Sequence, residues 1–63
     1  MDPIEQVRQA MKELGASIVP HQALVERLRQ NGLDAEQSVS AVNAALESGA
    51  LIQTEKGGVR LPD

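Results

Sequence analysis

The sequence predicts an α+β fold: three helices, a short strand between the first two, and a C-terminal β-hairpin. Three observations carry this expectation. Apolar residues recur at spacings of three and four in three separate segments, the mark of one-sided helices. Each segment stops at a glycine or at an Asn-Gly pair, the residues that close helices. After the last stop, two strand-like runs, "ALIQT" and "VRL", flank "EKGG".

The first helix is expected over residues 3–14. Asp2 suits the N-cap and Pro3 the first helical position, where a missing N–H costs nothing. Glu5, three residues after Asp2, has the spacing of a capping box. Ile4, Val7, Met11 and Leu14 make one apolar stripe, and Gly15 ends it. "ASIVP" then reads as a short extended piece, as brief as a single bridge, because Ile18 and Val19 are β-branched and Pro20 disfavours helix before it. The second helix is expected over about 20–30 with Leu24, Val25 and Leu28 inward. In "NGL", Asn31 or Gly32 takes the left-handed conformation and Leu33 returns to the core.

The third helix is expected over 35–48. "DAEQ" sets Asp34 as cap and Gln37 as its capping-box partner. Ala35, Val39, Val42 and Leu46 are spaced four, three and four, so this stripe is expected to face the core. Gly49 stops the helix. The hairpin is expected over about 50–61, with Gly57-Gly58 at the turn because glycine tolerates positive φ. A loop of two or four residues sets Ile52, Thr54, Val59 and Leu61 on one face. A three-residue loop exchanges Ile52 and Thr54 for Leu51 and Gln53, the less apolar choice. Leu51 is expected at the junction with the third helix.

With 63 residues, the chain is expected to form a single domain, residues 1–63. A domain of this size buries only about 60% of its unfolded surface and is marginally stable. There is no cysteine, so neither disulfides nor thiolate metal sites staple it. Phe, Tyr and Trp are also absent, which argues against single-stranded nucleic acid, whose binders stack bases on aromatic rings. The formal net charge of −3 argues against strong nonspecific attraction to phosphates. No apolar run approaches the ~20 residues of a membrane span, and "MDPIEQVRQ" lacks the pattern of a signal peptide. A soluble, cytoplasmic protein without a membrane partner is the expectation.

Helix, short strand, helix, turn, helix, hairpin is an order that resembles the winged-helix (winged helix-turn-helix) domains. The most specific part is "LVERLRQNGLDAEQSVSAVNAALESGALIQTEKGGVRL". There a helix ends in "NGL", an acidic cap starts the next, and "SGALI" leads directly into a two-stranded wing. The resemblance spans essentially the whole chain. It implies a module that often binds duplex DNA, with the third helix in the major groove and the wing against the backbone. A minority of such domains bind proteins instead, and the fold does not decide between the two.

The surface residues must therefore decide. Opposite the expected core stripe of the third helix lie Gln37, Ser40, Ala41, Ala44 and Ser48, flanked by Glu36, Asn43 and Glu47. Gln37 and Asn43 suit adenine edges, and serine suits phosphate or mixed edges. Ser40, Ala41 and Ala44 are small enough to admit another helix or a sheet. The helix has no Lys or Arg, and Glu36 and Glu47 repel phosphate. A solvated helix surface filled with good helix formers explains the same residues without any function. Lys56 and Arg60 lie on the wing, where phosphate contact is expected, although Arg60 falls opposite Glu55 in a two-residue-loop register. Arg8 and Lys12 sit among Glu5 and Glu13 as solvated helix pairs.

The first functional reading is a duplex-DNA-binding transcriptional regulator, working as a homodimer because six basic residues make few phosphate contacts. The rival is a protein-interaction module using the small face of the third helix. Between them the two readings assign contact to Gln37, Ser40, Ala41, Asn43 and Ala44 of the third helix and to Lys56 and Arg60 of the wing. The DNA reading needs the wing cations, whereas in the protein reading they matter little. Catalysis is not expected. His21 is the only histidine and has no organised partner for metal binding or nucleophile activation. "EKGG" is not a phosphate-binding loop, so no cofactor or small-molecule ligand is expected.

Overall fold

The computed structural model describes residues 2–62. Its elements run α1 (Pro3–Leu14), β1 (Val19–Pro20), α2 (His21–Gln30), α3 (Ala35–Ser48), β2 (Ile52–Gln53) and β3 (Gly58–Arg60). The result is three helices with a small three-stranded antiparallel sheet in the order β1-β3-β2. This is the expected α+β class and element order.

Local chemistry sets the helix ends. The Asp2 carboxylate accepts from the Ile4 N–H at 3.0 Å. Glu5 does not close a capping box; it pairs with Arg8 one turn on, at 3.1 Å. At α3 the capping box is complete: Asp34 Oδ1 accepts from the Gln37 N–H at 2.7 Å and Gln37 Oε1 accepts from the Asp34 N–H at 3.2 Å. Of the two candidates in "NGL", Gly32 takes the positive φ, +108°. The Leu33 N–H then reaches back to the Leu28 carbonyl at 3.2 Å, which turns Leu33 onto the core.

The core is aliphatic. Val7, Ala10 and Met11 of α1, Leu24 and Leu28 of α2, and Ala41, Val42 and Ala45 of α3 are buried, together with Val19, Ala50, Leu51 and Val59. Two expectations need correction here. The first concerns α3. Its buried row is Ser38, Ala41, Val42 and Ala45, not Ala35, Val39, Val42 and Leu46. Ala35 is exposed, Val39 is 42% exposed, and Leu46 is only partly buried. The helix is rolled so that small side chains face inward. The physical reason is spacing: α1 and α3 make the most extensive element contact in the fold, and buried Ala10, Ala41 and Ala45 leave room for close approach. Ser38 joins this row cheaply because its hydroxyl donates to the Asp34 carbonyl at 2.8 Å, satisfying the buried group.

The second correction concerns the hairpin. Ile52 pairs with Arg60 and Gln53 with Val59, the register of a three-residue loop. The Gly57 N–H bonds the Thr54 carbonyl, and the Thr54 N–H bonds the Gly58 carbonyl. Glu55 and Lys56 are therefore the central turn residues, and Gly57 follows at φ +79°, as in a type I turn closed by a left-handed residue. Gly58 is not a turn residue at all. A Cβ there would lie 2.9 Å from Ile18 Cγ2, 3.2 Å from Thr54 Oγ1 and 3.3 Å from the Val19 carbonyl oxygen, so it is glycine for packing. Leu51, not Ile52, is the fully buried residue of this arm. Arg60 stands opposite Ile52, so the Arg60–Glu55 cross-strand pair does not form.

A polar clamp joins the C-terminal ends of α1 and α2. Glu13 Oε1 accepts from Arg27 Nε at 2.9 Å and from Asn31 Nδ2 at 3.0 Å, and Oε2 accepts from Gln9 Nε2 at 3.2 Å. These bonds, from Asn31 first, then Arg27 and Gln9, hold the Glu13 carboxyl below its usual value of 4.5. A carboxyl with a lowered folded-state pKa stabilises the fold above its unfolded value and loses that contribution as pH falls through the folded one. Urea unfolding midpoints between pH 6 and pH 3 are therefore expected to fall more steeply in the natural protein than in Glu13→Gln. Parallel curves would mean the clamp adds nothing to stability.

Candidate interaction surface

With Ser38, Ala41, Val42 and Ala45 inward, a helix of 3.6 residues per turn sets Glu36, Ser40, Asn43 and Glu47 outermost. All four are exposed. The most prominent row of α3 thus carries two carboxylates, a hydroxyl and a carboxamide, and no cation. Helical geometry also leaves Gln37 and Ala44 on the flank that turns toward α1.

That flank forms one wall of a groove. The groove has a volume of about 580 Å³, and it is lined by Pro3 and Gln6 of α1, Asn31–Leu33 of the α2–α3 turn, and Gln37, Ser40, Ala41 and Ala44 of α3. Four residues expected on the surface meet here, and one of them, Ala41, is not placed as expected. Ala41 is 2% exposed; it forms the floor and belongs to the core, which corrects its assignment as an outward contact. Ala44 is half-buried, while Ser40 and Gln37 are exposed. Gln37 spends its carbonyl oxygen on the α3 cap and keeps its amide hydrogens. Asn43 is exposed but stands on the outer row, away from the groove lining.

The hairpin residues stand apart from this groove. Lys56 is exposed in the turn, beside Glu55, and Arg60 is half-buried in β3, its Nη1 donating to the Leu61 carbonyl at 3.4 Å. Neither lines the groove. Three of the six cations are engaged by carboxylates: Arg8 with Glu5, Arg27 with Glu13, and Arg29 with Glu26. Lys12, Lys56 and Arg60 have no ion pair among the described residues.

Gln6 and Asn31 enter the surface only through tertiary packing. Gln6 sits on the flank of the α1 stripe, and nothing local marks that flank as facing α3. Among the described residues no group of three or more His, Cys, Asp or Glu is placed to hold a metal ion, and no helix is long and apolar enough to cross a membrane. No family model, curated protein or solved structure matches this chain. Its functional reading therefore rests on the surface itself.

Proposed function

We propose that this chain is a winged-helix-type interaction module that docks a protein partner through α3, in preference to reading duplex DNA. The observation that carries this is the outermost row of α3: Glu36, Ser40, Asn43 and Glu47. A helix laid in a major groove brings its outer row to base edges and its flanks to phosphates. Two carboxylates and no cation in that row oppose such an approach. The acidic net charge and the three internally paired arginines weaken long-range attraction further.

One observation favours the DNA reading. Lys56 is exposed at the hairpin tip, where a wing meets the phosphate backbone, and a homodimer would present two such tips. The two readings separate in an amide NMR titration of the chain with a mixed-sequence duplex at low and then moderate salt. The protein reading expects no saturable shifts on α3, and it expects Glu36→Lys with Glu47→Lys to create salt-sensitive binding. Shifts on Gln37 to Asn43 and on Lys56 to Arg60 in the natural protein, lost with Lys56→Glu and Arg60→Glu, would overturn it in favour of DNA.

A further inference from the structure

The groove between α1, the α2–α3 turn and α3 has walls of one chemical kind. Gln6 presents a carboxamide that makes no hydrogen bond to another described residue, and the Ser40 hydroxyl is likewise unspent. Asn31 donates one amide hydrogen to Glu13 and keeps the other, together with its carbonyl oxygen. Gln37 gives its carbonyl oxygen to Asp34 and keeps its amide hydrogens. The walls therefore offer both free donors and free acceptors around an apolar floor of Leu33, Ala41 and Ala44, with no cation in the lining. Such walls match a neutral ligand that itself carries both N–H and C=O groups. The missing cations make them a poor match for an anion.

From this lining we infer that the groove holds an extended segment of a protein partner. Its main chain bonds Gln6 and Gln37, and an aliphatic side chain rests on Ala44 and Leu33. The volume of about 580 Å³ lies within the ~300–1,000 Å³ of pockets that enclose small ligands. Charge fixes what flanks the aliphatic residue. Ser40 belongs to both the groove and the outer row, so the segment leaves the groove beside Glu36 and Glu47, where a lysine or arginine is favoured and an acid repelled. The inference rests on the protein-docking reading of α3 and names its occupant.

The test uses the full chain, isotopically labelled, and two pools of blocked pentapeptides. Both pools carry leucine at the centre and two degenerate positions; one has lysine at each end, the other glutamate. The lysine pool is expected to shift the side-chain amide signals of Gln6 and Gln37 and the backbone signals of Ser40 and Ala44, saturably. The glutamate pool is expected to bind about tenfold more weakly, a difference of ~1.4 kcal/mol. Ala44→Leu, which fills the floor, is expected to lose the shifts. Gln6→Ala, at a position outside the core, is expected to weaken them severalfold with the fold intact. Lysine-pool shifts confined to Glu36, Asn43 and Glu47 would overturn the groove as the site while leaving a protein-docking α3 in place. Equal response to both pools, or none on α3, would overturn the inference. The duplex titration then decides separately whether the docking reading survives.

Discussion

Ala41→Arg is expected to unfold this chain, whereas Val39→Lys, two residues earlier on the same helix, is expected to leave it folded. Ala41 is 2% exposed, in the face of α3 that belongs to the core. An arginine there overfills a close-packed contact, at a cost of about 1–3 kcal/mol. Its charge adds a desolvation penalty of several kcal/mol. A domain of this length has a total stability of roughly 3–9 kcal/mol, so the sum consumes most or all of it. Val39 is 42% exposed, and surface changes away from special features usually stay within about 0.5 kcal/mol. Lysine is also the better helix former. Far-UV circular dichroism melts of the two variants check the pair. A folded Ala41→Arg beside an unfolded Val39→Lys would restore Val39 as the inward residue.

That pair of variants also marks where the sequence stopped being legible. Helix ends were readable because they are set by chemistry a few residues long. Asp34 with Gln37, Asp2 with Pro3, and Gly32 with Leu33 each act within one turn. Strand β1 was readable for the same reason, from two β-branched residues and a proline. Which side of α3 faces inward is a different kind of fact. Reading by hydrophobicity favours Val39 and Leu46 over Ala41 and Ala45. The choice was made instead by how closely α1 and α3 can approach, a property of two helices at once. Buried Ser38 shows the same thing, since its hydroxyl is satisfied by the helix itself and so no longer counts against burial.

The candidate site inherited both the success and the error. Gln37, Ser40 and Ala44 were legible as surface residues because they lie on an uncharged flank of α3, and the rolled helix still presents them. Ala41 was misplaced with the roll. The rightful outer row, with Glu36 and Glu47 at its centre instead of its edges, changes the electrostatic argument more than any single residue does. Gln6 and Asn31 carried no local signal, because a groove between elements exists only once the elements have packed.

The hairpin register gives the second large effect. Leu51→Ala is expected to cost about 2–5 kcal/mol, and Ile52→Ala distinctly less. Leu51 is 2% exposed, and its N–H donates to the Ala45 carbonyl at 3.1 Å, which ties the start of the arm to the end of α3. Ile52 is half-buried. The order follows from pairing, because Ile52 opposite Arg60 and Gln53 opposite Val59 place Leu51 on the inner face. An even loop inverts it, since shifting register by one residue exchanges the faces of a strand. Composition alone favours the even loop, which gathers more apolar area on one side. The three-residue loop prevails because Gly57 supplies the left-handed residue that closes it and Gly58 is then free to pack beneath Ile18 and Thr54. Equilibrium urea unfolding of the two alanine variants measures this directly. A larger loss from Ile52→Ala than from Leu51→Ala would show that the chain in solution pairs in the even register, with Thr54 and Ile52 facing the helices.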